Sequence, residues 1–122
     1  GARRDVVLLR IGILEGERGN HARALTFYEQ ALAENPSFAD AHYNLAVSLG
    51  HLGRMEAAIT HYESTIRLDP KEFRARVNLA GLYAERGRIP EARALLEGVL
   101  ADDPGNTRAR EFLQNLSKGN RL

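Results

Sequence analysis

The sequence predicts an all-α protein: a solenoid of three helix-turn-helix units, with a seventh helix closing the carboxyl end. Three observations lead there. Unrelated residue types recur at a spacing of 34, as Gly19, Gly53 and Gly87, as Ala24, Ala58 and Ala92, and as Pro36, Pro70 and Pro104. Self-similarity at such a period marks an array of one structural unit. Within a unit the apolar residues fall in two blocks at helical spacing, Ala41, Leu45, Ala46 and Leu49, then Ala58, Ile59, Tyr62, Ile66 and Leu68. Each block is an amphipathic helix. Neither could bury its stripe alone, so neighbouring hairpins must stack for the core to become continuous.

The elements follow in order. The first hairpin pairs helices at about 5–18 and 21–34, the second at about 39–52 and 55–68, and the third at about 73–86 and 89–102. Between the helices of the middle pair, "GHLGRM" supplies Gly53, which can take the left-handed conformation that ends a helix. Asn35-Pro36, Asp69-Pro70 and Asp103-Pro104 stop the second helices, because proline lacks an amide donor and pushes the preceding residue out of the helical region. Pro90 falls at the start of the sixth helix, where proline is tolerated. The seventh is expected from Thr107, an N-capping residue type, to about Lys118. Its Ala109, Phe112, Leu113 and Leu116 form one apolar stripe, and Arg108, Arg110, Glu111, Gln114, Asn115 and Lys118 cover the rest. Residues 1–122 then form a single domain, with repeats at about 5–38, 39–72 and 73–106 and a capping helix at about 107–118.

Small residues recur where paired helices approach: Gly12, Ala46 and Ala80 in the first helices, Ala24, Ala58 and Ala92 in the second. Larger ones alternate with them, Ile11, Leu45 and Leu79 on one side and Tyr28, Tyr62 and Leu96 on the other, so the surfaces interdigitate. The first helix stands apart. In "DVVLLRIGILEG" apolar residues surround most of the cylinder, more than its own hairpin can bury. Val6, Val7 and Leu14 are therefore expected to be covered by an upstream repeat, a second copy in a homodimer, or a partner.

Composition excludes several function classes. Seventeen basic residues against 16 acidic ones leave no field to draw the chain onto nucleic acid or an anionic membrane. The absence of cysteine removes disulfides, thiolate metal sites and cysteine nucleophiles. No apolar run approaches the roughly 20 residues that cross a bilayer, so no membrane insertion is expected. The chain begins Gly1-Ala2 and its one methionine is Met55, which reads as a segment whose native start is missing; 15 arginines against two lysines hint at a GC-rich bacterial source.

The chemical motifs have plain explanations. His21, His42, His51 and His61 include no pair at helical i, i+3 or i+4 spacing, so no metal site and no cofactor are expected. "GILEGERG" follows no strand and lacks the lysine of a phosphate loop, and its glycines serve packing and a helix stop. Gly12 and Gly16 have the spacing of membrane helix dimers, but Arg10, Glu15, Glu17 and Arg18 crowd the same segment. No serine, histidine and carboxylate set is suggested by the repeat geometry, and catalysis by this chain is not expected.

The stretch "AHYNLAVSLGHLGRMEAAITHYESTIRLDP" resembles the tetratricopeptide repeat family, with its Leu-Gly/Ala, later Ala, aromatic, Ala and Pro over 34 residues. The resemblance covers roughly residues 5 to 106. Departures are His42 for a tryptophan, Thr65 for an alanine, Glu15 for an aromatic, and Arg76 and Leu96 in the third repeat. The resemblance implies a right-handed α-solenoid that binds a protein or peptide along a concave groove lined by the first helix of each pair. Matched residue by residue, that groove holds Val6, Leu9, Arg10, Ile13 and Glu17, then Asp40, Tyr43, Asn44, Val47 and His51, then Arg74, Val77, Asn78, Gly81 and Glu85. Asn44 and Asn78 would offer donors and acceptors to a peptide backbone, with Tyr43, Val47 and Val77 as pockets for its side chains. The carboxylate clamp of chaperone-binding members maps to Leu9, Ile13, Asn44, Arg74 and Asn78, of which only Asn44 and, by charge, Arg74 agree, so a heat-shock chaperone tail is not the expected ligand. The resulting expectation is a non-catalytic interaction scaffold. A second reading makes the chain an accessory array of a larger enzyme such as a glycosyltransferase or sulfotransferase. RNA binding is disfavoured, since no basic stripe with interleaved aromatics lies on the first helices.

Overall fold

The computed structural model describes residues 3–119, which carry α-helices and no strand. In chain order these are α1 (Arg4–Glu17), α2 (His21–Glu34), α3 (Ala39–His51), α4 (Met55–Leu68), α5 (Phe73–Glu85), α6 (Ile89–Asp102) and α7 (Thr107–Ser117). The chain divides into two compact units at the Asp69-Pro70 step. In the first, α1 packs on α2, α2 on α3 and α3 on α4; in the second, α5 packs on α6 and α6 on α7.

The three hairpin turns are copies of one motif. Gly19, Gly53 and Gly87 have φ of 82°, 76° and 76°, a region open to residues without a Cβ. Each glycine sits just past a helix end, and the next residue's amide reaches back to the third-last helical carbonyl: Asn20 to Glu15 at 2.8 Å, Arg54 to Leu49 at 2.9 Å, Arg88 to Tyr83 at 2.8 Å. The glycine amides bond Gly16, Gly50 and Ala84, completing a Schellman closure that satisfies carbonyls the helix leaves open. The prolines act at the other ends, where Asn35, Asp69 and Asp103 leave helical geometry with φ near −140°.

The small positions are fully buried: Ala24, Ala46, Ala58, Ala80 and Ala92 each expose nothing. Gly12 is the tightest contact, since a Cβ built there would lie 2.5 Å from Cε1 of Tyr28. The repeat departures are accommodated locally. Thr65 is buried and its hydroxyl donates to the His61 carbonyl at 2.9 Å. Glu15, also buried, accepts from Asn20 Nδ2 at 3.1 Å and pairs with Arg23 Nε at 3.0 Å, tying the turn to α2. Arg76 lies over Gly98, where a Cβ would come within 3.4 Å of its Nη1, and that nitrogen is 3.7 Å from Asp102.

Two expectations are corrected. The N-cap of α7 is Asn106, whose side chain accepts from the Ala109 amide at 3.0 Å; Thr107 is the first helical residue. Ile11 is 36% exposed, whereas its repeat counterparts Leu45 and Leu79 are buried. In the first unit α2 covers α3, and no helix among the described residues covers that face of α1.

Candidate functional site

The first helices of the hairpins frame hollows in each unit. In the first unit, a hollow of about 250 Å³ is lined by Ile13, Gly16 and Glu17 of α1, His21 and Tyr28 of α2, and Asn44, Val47, Ser48 and His51 of α3. Val47 and Ile13 supply its apolar walls. The rings of His21 and His51 stack with centroids 4.2 Å apart and planes within 4°, and His21 Nδ1 is 3.3 Å from Ser48 Oγ. Burial holds the His21 imidazole below its ordinary pKa, and the charge of His51 adds to the effect. The same burial raises the Tyr28 phenol, although its bond with Ser48 acts the other way. Gly16 lies beside the Tyr28 hydroxyl, where a Cβ would make an ordinary contact at 3.5 Å.

In the second unit, a hollow of about 270 Å³ is lined by Lys71, Glu72, Phe73, Arg74, Val77, Asn106 and Arg108. A further one of about 220 Å³ shares Val77 and Arg108 and adds Glu111, Phe112 and Asn115 of α7. Arg74 grips Glu72 through two bonds, Nε to Oε1 at 2.9 Å and Nη2 to Oε2 at 2.7 Å, which hold the Glu72 carboxyl below its ordinary pKa. Arg108 Nη2 donates to Asn78 Oδ1 at 3.0 Å, which orients the guanidinium. Beside the Arg74–Glu72 pair, the oriented Arg108 guanidinium brings positive charge to the larger hollow.

The candidates from the sequence divide accordingly. Ile13, Asn44, Val47 and His51 line the hollow of the first unit, and Arg74 and Val77 those of the second. Asn78 orients Arg108, while the Asn44 amide donates to the Asp40 carbonyl at 2.8 Å, a bond within its own helix. Leu9 is buried in the core and Arg10 is exposed; neither lines these hollows. Tyr43 is half-buried, with its ring edge-on to Tyr62 at 6.0 Å. Val6 is half-buried, and Val7 and Leu14 are exposed. The residues missed on α7 had a signal. Adding 34 to Arg74, Val77, Asn78 and Gly81 gives Arg108, Glu111, Phe112 and Asn115, so the capping helix continues the first-helix series.

Among the described residues no helix is long and apolar enough to cross a membrane, and no cluster of three or more histidines and carboxylates is arranged to hold a metal. Tetratricopeptide repeat models match residues 9–72 and 51–116. The chain is similar to the first tetratricopeptide repeat domain of Spaghetti (RPAP3), bound to the HSP90 peptide SRMEEVD, with a TM-score of 0.90, 19% identity, and coverage of 98% of this chain and 94% of that one. It is similar to the Yersinia enterocolitica type III secretion translocator chaperone SycD in an alternative dimer, with a TM-score of 0.88, 18% identity, and coverage of 100% and 98%. A third likeness is to YrrB, described as having an unusual peptide-binding site, with a TM-score of 0.83, 18% identity, and coverage of 93% and 59%. These likenesses show an all-α repeat solenoid fold. No curated protein sequence matches the chain significantly.

Proposed function

The chain belongs to the tetratricopeptide repeat family, and from that premise we propose that it is a non-catalytic scaffold that binds a protein partner through peptide contacts in the hollows of its first helices. The carrying observation is the pairing of apolar walls with oriented polar groups. Val47 and Ile13 adjoin Asn44, Ser48 and the His21–His51 stack in the first unit; Val77 and Phe112 adjoin Arg108 in the second. Apolar walls take side chains, and the polar groups fix the backbone or a carboxylate. Two structural neighbours with this fold are described with bound peptide or a peptide-binding site, which supports the reading.

The Arg108 guanidinium at the larger hollow of the second unit, beside Val77, favours a ligand with an acidic residue next to an aliphatic one. The ligand of the first neighbour is not carried over, because only Asn44 and Arg74 agree with a carboxylate clamp and Arg74 already holds Glu72. The test is selection of peptides from a displayed random library. Selected peptides are expected to bind the chain and to weaken about tenfold or more with Val47→Gln or Arg108→Ala, at unchanged helicity. Failure to select any peptide, or selected peptides indifferent to both variants, would count against the reading.

A further inference from the structure

The hollow of the first unit presents acceptors that the chain itself does not use. Asn44 turns its amide nitrogen to the Asp40 carbonyl at 2.8 Å, which leaves its Oδ1 with no donor among the described residues. Glu17 lines the same hollow, exposed and with no hydrogen bond or ion pair among those residues. Its charge is felt at the Tyr28 phenol, where it adds to the rise that burial causes, so the carboxylate lies on the hollow's side. The remaining polar groups are engaged, since Ser48 Oγ lies 3.3 Å from His21 Nδ1 and bonds the Tyr28 hydroxyl. No lysine or arginine is among the lining residues. A hollow with a carboxylate, an open amide oxygen and no fixed cation attracts positive charge.

We propose, on the reading that this hollow binds peptide, that it takes a basic side chain of the ligand, with the stem along Ile13 and Val47 and the charged head at Glu17 and Asn44. Lysine and arginine bury long aliphatic stems on apolar walls while their heads stay at a polar rim. Ile13 and Val47, both half-buried, are such walls. Other side chains fit worse. An acidic one would meet Glu17 as a like charge and find an oxygen, not an N–H, at Asn44. An apolar one would cover both acceptors without giving either a partner, which costs free energy.

The stacked rings of His21 and His51 make the preference reversible. Burial, and then the charge of His51, lowers the His21 pKa, so at neutral pH that ring adds no charge to the hollow. The other titratable groups in the lining are Glu17 of α1 and Tyr28 of α2, neither of them a cation. A proton taken up by the stack adds positive charge to the wall and repels a basic head, so proton and ligand oppose each other's binding. Affinity falls as pH falls through the imidazole range.

Peptides selected from a displayed random library against the intact chain test this, with affinities from fluorescence anisotropy of synthetic copies. Peptides that depend on Val47, judged by Val47→Gln, are expected to share a lysine or arginine. Replacing that residue by glutamine, or Glu17→Gln in the chain, should each weaken binding about fivefold or more. Glu17→Arg should do more harm, and changing the ligand's basic residue to glutamate should then restore binding, which a merely structural role of Glu17 would not allow. From about pH 7.5 to about pH 6 the affinity should fall about threefold, with His51→Gln removing most of that fall while circular dichroism shows an unchanged fold. Val47-dependent peptides that share no basic residue, that ignore Glu17→Gln, or that bind more tightly on acidification would overturn the proposal and leave the scaffold reading standing. So would peptides that depend on Arg108 alone. No selected peptide, or peptides indifferent to both Val47→Gln and Arg108→Ala, would overturn both.

Discussion

His42 and His61 face each other with their Nδ1 atoms 3.0 Å apart, and His42 Nε2 lies 3.0 Å from the Pro36 carbonyl. A carbonyl accepts only, so His42 carries its hydrogen on Nε2 and its Nδ1 accepts from His61. The bond requires that one of the two facing Nδ1 atoms carry no hydrogen. With the stacked rings of His21 and His51, all four histidines of the chain lie in cross-helix pairs of the first unit.

Stability should therefore depend on pH. Burial, and then the charge of the neighbouring ring, holds His61 and His21 below the ordinary imidazole pKa of 6.5. For a base whose folded pKa is lowered, the unfolded chain takes up protons first, so stability is complete above the unfolded value and declines as pH falls from it through the folded one. The melting temperature should be level above about pH 7 and fall steadily below about pH 6.5. His61→Gln should flatten part of the slope. Asp5 and Glu72, lowered chiefly by hydrogen bonds from Arg3 and Arg74, lose their contribution only as pH falls through the carboxylate range, a separate and more acidic step. A profile flat down to that step would refute the histidine account.

Two glycines should respond with opposite signs. Gly12→Ala puts a methyl 2.5 Å from Tyr28, and overpacking should cost about 1 to 3 kcal/mol despite the gain in helix propensity. Gly50 has nothing within 4 Å of a Cβ, so Gly50→Ala in α3 should stabilise by up to about 1 kcal/mol. Urea unfolding of both variants checks the pair; equal effects would mean that the contact between α1 and α2 is looser than described.

At α7, Asn106→Ala should cost about 0.5 to 2 kcal/mol, because it removes the bond to the Ala109 amide. Thr107→Ala should change little, within about 0.5 kcal/mol. The reverse order in thermal melts would return the cap to the threonine.

The fold was legible because its cause is periodic. A left-handed glycine, a proline stop and a pair of small residues repeat together, and each fixes a boundary or a contact by local chemistry that needs no neighbour. The candidate site was half legible. Ile13, Asn44, Val47, His51, Arg74 and Val77 follow from first-helix register, yet His21, Tyr28 and Ser48 line the same hollow through packing of α2 against its neighbours. The histidine pairs were hidden for the same reason. His42 and His61 are 19 positions apart, and spacing along one helix says nothing about rings brought together from two. The surplus apolar surface of α1 was readable from the sequence, which named Val6, Val7 and Leu14; the structure shows that Ile11 joins Val7 and Leu14 on the exposed face, with Val6 half-buried.

The most direct test of the binding account is amide chemical-shift mapping of the isotope-labelled chain during titration with a selected peptide. The expected result is that the amides of Val47, Ser48 and His51, and those of Val77 and Arg108, shift or broaden in proportion to occupancy, while Thr60 of α4 and Glu97 of α6, both exposed, hold their positions. Perturbations confined to α4 and α6, or to Val7, Ile11 and Leu14 of α1, would contradict the assignment of the first-helix hollows as the binding surface.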